Sequence, residues 1–425
     1  MDRYQSKVLD NGLKVIAHRM PQMRSAALGI WIATGGRYEN TANRGISHFI
    51  EHLLFKGTKK RSTVQIKNSI EGIGGSLNGF TSEEVTCYLV KVLGRHLELG
   101  LDVLSDMVMN ARFDPGDIDK ERSVILEEIN MYRDQPDQYV SELLGGLMWP
   151  GQTMGIPLIG TIKTVNALDR SRLLGYKNRS YSPSNITVVA CGDIDWDILV
   201  GGCHKFFSKR KRGRSCGYRK MRVDRNGPKT KLLNKKTEQT HMAMGFHGIS
   251  RKDPLRYAAD ILNVALGANM SSRLFHELRE KRGLAYAIGS HVHYYADGGV
   301  AFVEAGVDNR KVSKATQLII KELRRIKTAP LSIKEFERAK EYYRGHLLFM
   351  LEDTASHMLW LGKKVVTGDE PLDMERILDN AMKVTIDDVL KAASAIFKRA
   401  YLNIAVIGPD VEKEDKLIGR IAGEL

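Results

Sequence analysis

The sequence predicts an α+β protein built from two tandem homologous domains, each a mainly antiparallel sheet with helices packed on one face. Three observations predict it. The chain has 425 residues, more than one hydrophobic core usually supports. Its middle is interrupted by a run of positive charge holding glycines at 213, 217 and 227 and Pro228. The segments on either side of that run repeat one order of strand-like and helix-like patterns. The expected boundaries are 1–208 for the first domain, 209–229 for a basic linker and 230–425 for the second.

Taken in order, residues 26–33 are apolar and strand-like, and a glycine-bearing turn leads from them to a helix around His48. Residues 84–92 hold β-branched and aromatic side chains and read as a strand, and 96–110 is a long amphipathic helix. Residues 121–129 are rich in helix formers, with Val124, Ile125 and Ile129 as a buried stripe. The second half repeats the plan. A strand over 241–247 precedes a turn and a helix over 257–266, residues 292–307 are strand-like, and a helix spans 312–326. A late helix over 332–351 matches the one carrying Glu121 and Glu128.

The formal charge of +15 is concentrated in one place. Between Lys205 and Lys236 there are 14 Lys/Arg and one acid, Asp224, which leaves +2 for the rest of the chain. This run has no sustained apolar period and reads as a solvated tether. Only Phe206, Phe207 and Tyr218 offer aromatic stacking there, which weighs against nucleic acid as a partner. No apolar stretch reaches the roughly 18 residues of a membrane span. The N-terminus lacks the apolar core of a signal peptide, so the expected compartment is the cytoplasm, in a bacterium. Cys87, Cys191, Cys203 and Cys216 are too scattered for a disulfide framework and read as buried or incidental thiols.

The most specific stretch is His48-Phe-Ile-Glu51-His52. On a helix it sets two imidazoles at i and i+4, with a carboxylate at i+3 on nearly the same face. Two neutral imidazoles one turn apart can grip a single metal ion, and the carboxylate then points at whatever else the metal holds. This is the zinc-plus-general-base geometry of the H-x-x-E-H, or inverzincin, motif. A third protein ligand is required. Glu121 and Glu128 are seven residues apart on a predicted helix and nearly superimpose on its face. One can bind the metal while the other holds a ligand histidine by its second nitrogen.

Taken together, these residues resemble a known family. His48, Glu51, His52 and a glutamate 76 positions beyond His52, which is Glu128, are similar to the zinc signature of the M16 (pitrilysin, insulinase) peptidases. Further segments agree in order: Leu9-Asp-Asn-Gly-Leu-Lys-Val15 near the start, Gly74-Gly-Ser-Leu-Asn78-Gly79-Phe-Thr81-Ser-Glu-Glu84-Val-Thr86-Cys-Tyr88, and Leu278-Arg279-Glu-Lys-Arg-Gly-Leu-Ala-Tyr286. The chain looks most like the processing-peptidase branch, the mitochondrial processing peptidase beta subunit and its bacterial relatives. The resemblance implies Zn2+ held by His48, His52 and Glu128, with Glu51 as general base and Glu121 orienting a ligand histidine. It also implies that Arg279 and Tyr286 reach the substrate from a second domain that has no metal site of its own. Asn78, Gly79 and Phe80 become the substrate-binding candidates, on an exposed edge strand that pairs with an extended peptide. Family members often carry alanine where this chain has Gly79.

The expected function is that of a zinc-dependent endopeptidase acting on unfolded or extended peptides. The resemblance leaves open a homodimer or pairing with an inactive sister subunit. Two other readings stand beside it: a non-catalytic family scaffold, and nucleic-acid binding through the basic linker.

Overall fold

The strand-like runs assemble into two sheets. The computed structural model describes residues 4–213, 217–368 and 374–425. In chain order, β1 (Gln5–Val8), β2 (Lys14–Arg19) and β3 (Ser25–Ile32) lead to α1 (Ile46–Leu54) and α2 (Thr63–Glu71). Next come β4 (Ser76–Thr81), β5 (Thr86–Leu93), α3 (Leu97–Asn110), α4 (Pro115–Asp134) and α5 (Pro136–Met148). The first half closes with α6 (Ile162–Asn166), α7 (Arg170–Ser180), β6 (Ile186–Gly192) and α8 (Trp196–Phe207). The second half opens with β7 (Lys229–Asn234), β8 (Thr240–Gly248), α9 (Arg256–Leu266), a π-helical turn Phe275–Glu280, β9 (Ala285–Tyr294) and β10 (Gly299–Val307). It ends with α10 (Val312–Thr328), α11 (Ile333–Leu351), α12 (Thr354–Val366), α13 (Met374–Met382), α14 (Ile386–Ile396), β11 (Asn403–Gly408) and α15 (Asp415–Ala422).

The sheet orders are β1-β2-β6-β3-β5-β4 and β7-β11-β8-β10-β9. From β2 and β7 onward they correspond strand for strand. The pairing senses correspond as well: β2/β6 and β7/β11 are parallel and the later pairs antiparallel. The expected repeat of two mainly antiparallel sheets is therefore present in the topology itself.

Two compact units result, and they interleave in sequence. One comprises Met1–Ile129, Pro157–Arg219 and Leu348–Asp373; the other comprises Asn130–Ile156, Lys220–Leu347 and Met374–Leu425. The expected boundaries at 209–229 separate the sequence halves, whereas the compact units exchange a helix. In the first unit α3 packs against β3 and β5. On a further face of that sheet, Met358, Leu361 and Val365 of α12 meet Ile16, Ala27, Trp31, Cys87, Val189 and Cys191. In the second unit α9, α10, α14 and α15 share one core with the sheet. A separate cluster sets Val140, Leu144 and Met148 of α5 against Ala243, Val300, Ala405 and Ile407. Helices α5 and α12 follow α4 and α11 in their respective halves, so the exchange is reciprocal. A Cβ on Gly362 would lie 2.2 Å from Trp31 Cε2, so only glycine lets α12 sit this close to β3. Coverage on both faces explains why every residue of β6 is buried, as a continuous apolar run requires.

Several local expectations are revised. The run 292–307 is a hairpin, with β9 and β10 joined through Tyr295 to Gly298. The substrate-side run likewise turns over at Ser82–Val85, so that β4 ends at Thr81. In α4 the buried stripe is Ile118, Glu121, Ile125 and Ile129, while Val124 faces outward at 49% exposure.

The described part of the basic segment is laced down rather than loose. In the first unit Asn11 Nδ2 donates to the Phe207 carbonyl at 2.8 Å, and Ser184 Oγ to that of Gly213 at 2.8 Å. The Arg37 guanidinium lies 3.9 Å from the centroid of the Tyr218 ring, and Phe207 is fully buried. In the second unit Gln152 bonds the Arg222 backbone in both directions, and residues from Lys229 form β7. Among the described cysteines Cys87, Cys191 and Cys203 are buried thiols, pushed up in pKa by burial; Cys216 lies outside the described residues. Among the described residues, no helix is long and apolar enough to cross a membrane.

Two buried histidines are expected to make the fold acid-sensitive. His357 on α12 lies with its ring centroid 4.6 Å from that of His18 on β2, and burial, reinforced by His18, lowers its pKa to about 4. His247 on β8 packs edge-on against Trp149, and its pKa is also lowered to about 4, by burial and by Lys229 against the opposing Asp224. A histidine depressed in the folded state stabilises the fold fully above its unfolded value near 6.5. That contribution is lost as pH falls towards the folded value. At pH 5 each should remove about 2 kcal/mol. Urea unfolding of chelator-treated protein at pH 7 and pH 5 should show the loss, and a His357→Leu variant should show a smaller one. An unchanged pH dependence in that variant would rule out His357 as a source.

Candidate active site

Helix α1 is set by what precedes it. Gly45 sits at its N-cap with φ +94°, and a Cβ there would lie 2.5 Å from the Ile159 carbonyl oxygen, so the position needs glycine. The buried Glu39 carboxylate accepts from Gly45 N at 2.9 Å and Ser47 N at 2.8 Å, satisfying the first turn of the helix. Burial raises the pKa of Glu39, against the opposing pull of Arg44. Ile46, Phe49, Ile50, Leu53 and Leu54 form the buried face. That leaves His48, Glu51 and His52 on the remaining face, partly exposed.

The structure brings His48, His52 and Glu128 together. One ligand atom from each lies within 4.8 Å of the other two, and this is the single metal-competent group of its kind among the described residues. His48 Nε2 is 3.2 Å and His52 Nε2 3.7 Å from Glu128 Oε2. Ligands of a tetrahedral zinc with bonds of about 2.0–2.2 Å stand about 3.3 Å apart, so these donors fit that ion. A hydrogen bond from His48, opposed by burial, holds the Glu128 carboxyl below the usual range.

Glu121 lies against the other ring nitrogen of His52. Its Oε2 lies 3.1 Å from His52 Nδ1, and its Oε1 lies 2.6 Å from Lys56 Nζ. With Nδ1–H donated to Glu121, His52 keeps the lone pair of Nε2 for a metal. Burial pushes the Glu121 carboxyl up, but hydrogen bonds from His52 and Lys56 outweigh it and set its pKa below the ordinary value. Lys56 was not singled out from sequence, although it stands one helical turn beyond His52.

Glu51 lies between the two histidines in sequence, and its Oε2 accepts a 2.6 Å hydrogen bond from Thr81 Oγ1. Thr81 ends β4, the edge strand of the first sheet, which pairs with β5. Asn78 is exposed and accepts from Gly79 N at 2.8 Å. A Cβ on Gly79 would come within 3.2 Å of the Phe55 and Tyr88 rings, so alanine fits there only if those rings give slightly. Phe80 points to the α12 side of the sheet, edge-on to Trp31 at 5.6 Å. Its side chain is thus part of the core packing, and what this strand offers outward is mainly backbone.

Arg279 and Tyr286 belong to the second unit. The π-helical turn ends at Glu280, Gly283 takes φ +54°, and β9 begins at Ala285, so a loop rather than a continuous helix brings the tyrosine round. The Arg279 guanidinium lies 4.9 Å from the Phe275 ring centroid and 5.3 Å from that of Tyr286. Tyr286 is 73% exposed and lines a cavity of about 1030 Å³ in that unit. His291 and His293 stack on Phe302, at 5.0 and 5.6 Å.

Comparison with known proteins gives a consistent picture. Residues 14–162 match the family model "Insulinase (Peptidase family M16)", and residues 167–343 match "Peptidase M16 inactive domain". A Streptomyces coelicolor protein described as an uncharacterized zinc protease is 36% identical over 412 residues, covering 96% of this chain and 90% of its own length. The Bacillus subtilis zinc protease YmxG, likewise called uncharacterized, is 35% identical over 401 residues, covering 94% and 97%. Among solved structures, a protease from Helicobacter pylori superposes with a TM-score of 0.89 at 21% identity, over 96% of this chain and 99% of that one. A peptidase M16 inactive domain from Pseudomonas fluorescens also reaches 0.89, at 18% identity, over 96% and 98%. At these identities the two structures speak for the fold.

Proposed function

The chain belongs to the insulinase family of peptidases, M16, and on that premise we propose that it is a zinc-dependent endopeptidase cutting unfolded or extended peptides. The observation that carries this reading is the convergence of His48, His52 and Glu128 beside Glu51. His48, His52 and Glu128 would hold the ion, with Glu121 fixing the His52 ring through Nδ1. When bound, zinc supplies a Lewis acid that lowers the pKa of water towards about 7. Glu51 takes the proton of the attacking water and passes it to the leaving amine. The substrate lies extended along β4, pairing through its backbone near Asn78 and Gly79. Arg279 and Tyr286 are the donors to the developing oxyanion. Within the family the motifs favour the processing-peptidase branch, working as a homodimer or beside an inactive sister chain.

The test pairs metal content with turnover. The purified chain should hold one zinc, cleave a quenched unstructured peptide, lose cleavage to a chelator and regain it with added zinc. Bound zinc with no cleavage across a peptide library would favour the scaffold reading instead.

A further inference from the structure

We infer that Thr81 is a positioning residue that aims the general base, so that the strand on which a peptide docks also sets the direction of proton transfer. The inference rests on the proposed role of Glu51.

The observation is the 2.6 Å contact from Thr81 Oγ1 to Glu51 Oε2. An ionised carboxylate only accepts, so the hydroxyl must donate, and this length belongs to charge-assisted O–H···O bonds. The bond occupies one carboxylate oxygen and leaves Oε1 as the atom that receives and returns the proton. Glu51 has three rotatable side-chain bonds and is only partly buried, so packing alone does not fix its carboxylate. Threonine in a strand has a restricted χ1, and its hydroxyl direction is therefore set by the backbone.

That backbone is firmly mounted. Thr81 pairs with Thr86 across the turn. Within the turn, Ser82 N donates to the Val85 carbonyl at 2.8 Å and Ser82 Oγ to the same oxygen at 3.0 Å. The turn is tied in turn to the loop before α1, by Gly36 N to the Ser82 carbonyl at 3.0 Å and Arg37 N to that of Glu83 at 2.9 Å. The buried Arg37–Glu84 ion pair adds a further tie. The side chain of Thr81 lies on the strand face that carries the bare Cα of Gly79, where an added Cβ would meet Phe55 at the end of α1, whereas the backbone edge of β4 lies at the sheet margin. Peptide pairing along that margin and the aim of Glu51 are therefore mounted on one piece of chain.

The test compares Thr81→Val, which keeps the shape and loses the donor, with Thr81→Ser, which keeps the donor, in the zinc-loaded full chain. Thr81→Val should lower kcat about tenfold to a hundredfold, with KM within about twofold, unchanged zinc content and an unchanged melting temperature. Thr81→Ser should recover most of kcat. A crystal structure of Thr81→Val should show the Glu51 carboxylate turned from its original rotamer. Wild-type kcat in Thr81→Val, loss of zinc or fold alongside activity, or an unmoved Glu51 rotamer would each overturn the inference. If the wild type cleaves nothing, the peptidase reading fails on its own, and the Glu51 rotamer still decides the role of Thr81.

Discussion

A Glu51→Gln variant is expected to keep its zinc and its affinity for peptide while kcat falls by about 10²- to 10⁴-fold. Glutamine has nearly the shape of glutamate and can still accept the Thr81 hydroxyl through its amide oxygen, so the local structure has no reason to move. What it lacks is an oxygen basic enough to take a proton. The three metal-competent side chains, His48, His52 and Glu128, are untouched by the change. Metal analysis, a binding titration with a fluorescent peptide and single-turnover cleavage check the three parts separately. Full cleavage with zinc retained would remove Glu51 from the role of base.

The second large effect concerns the two glutamates of α4. Glu128→Gln should leave the protein nearly free of zinc after desalting, and inactive, because a neutral amide oxygen is a weak ligand for this ion. Glu121→Gln should instead weaken zinc affinity about 10- to 100-fold, with activity returning at excess zinc. The reason lies in the two contacts of Glu121: 3.1 Å to His52 Nδ1, the ring nitrogen that faces away from Glu128, and 2.6 Å to Lys56 Nζ. A competition titration against a zinc indicator measures both variants. If Glu121→Gln lost the metal outright and Glu128→Gln kept it, the inner and outer assignments would have to be exchanged.

Much of this site could be read from sequence because its spacing is that of one helix and one nearby helix. His48, Glu51 and His52 lie within two turns of α1, and Glu121 and Glu128 follow from the drift of the helical period. The strand boundaries near the site were harder. Ser82–Val85 contains neither glycine nor proline, so the reversal after Thr81 left no mark in the pattern. Val124 is apolar yet exposed, because the buried stripe of α4 is completed by Glu121 instead. Thr81 carried only strand propensity, and its bond to Glu51 depends on how β4 lies against α1. The exchange of α5 and α12 was invisible, since each carries an ordinary amphipathic pattern that does not say which sheet it covers.

That exchange has a consequence for how the chain must come into being. Ser25 and Thr354, whose hydroxyls stand 3.0 Å apart, are separated by 329 residues of sequence. As the polypeptide leaves the ribosome, the first sheet therefore carries an apolar face, with Trp31 at its centre, that stays bare until the last sixth of the chain has been made. Contacts this distant come at the end of folding and slow it, and a sheet waiting for them is prone to aggregation. Neither half of the sequence supplies all the elements of one compact unit.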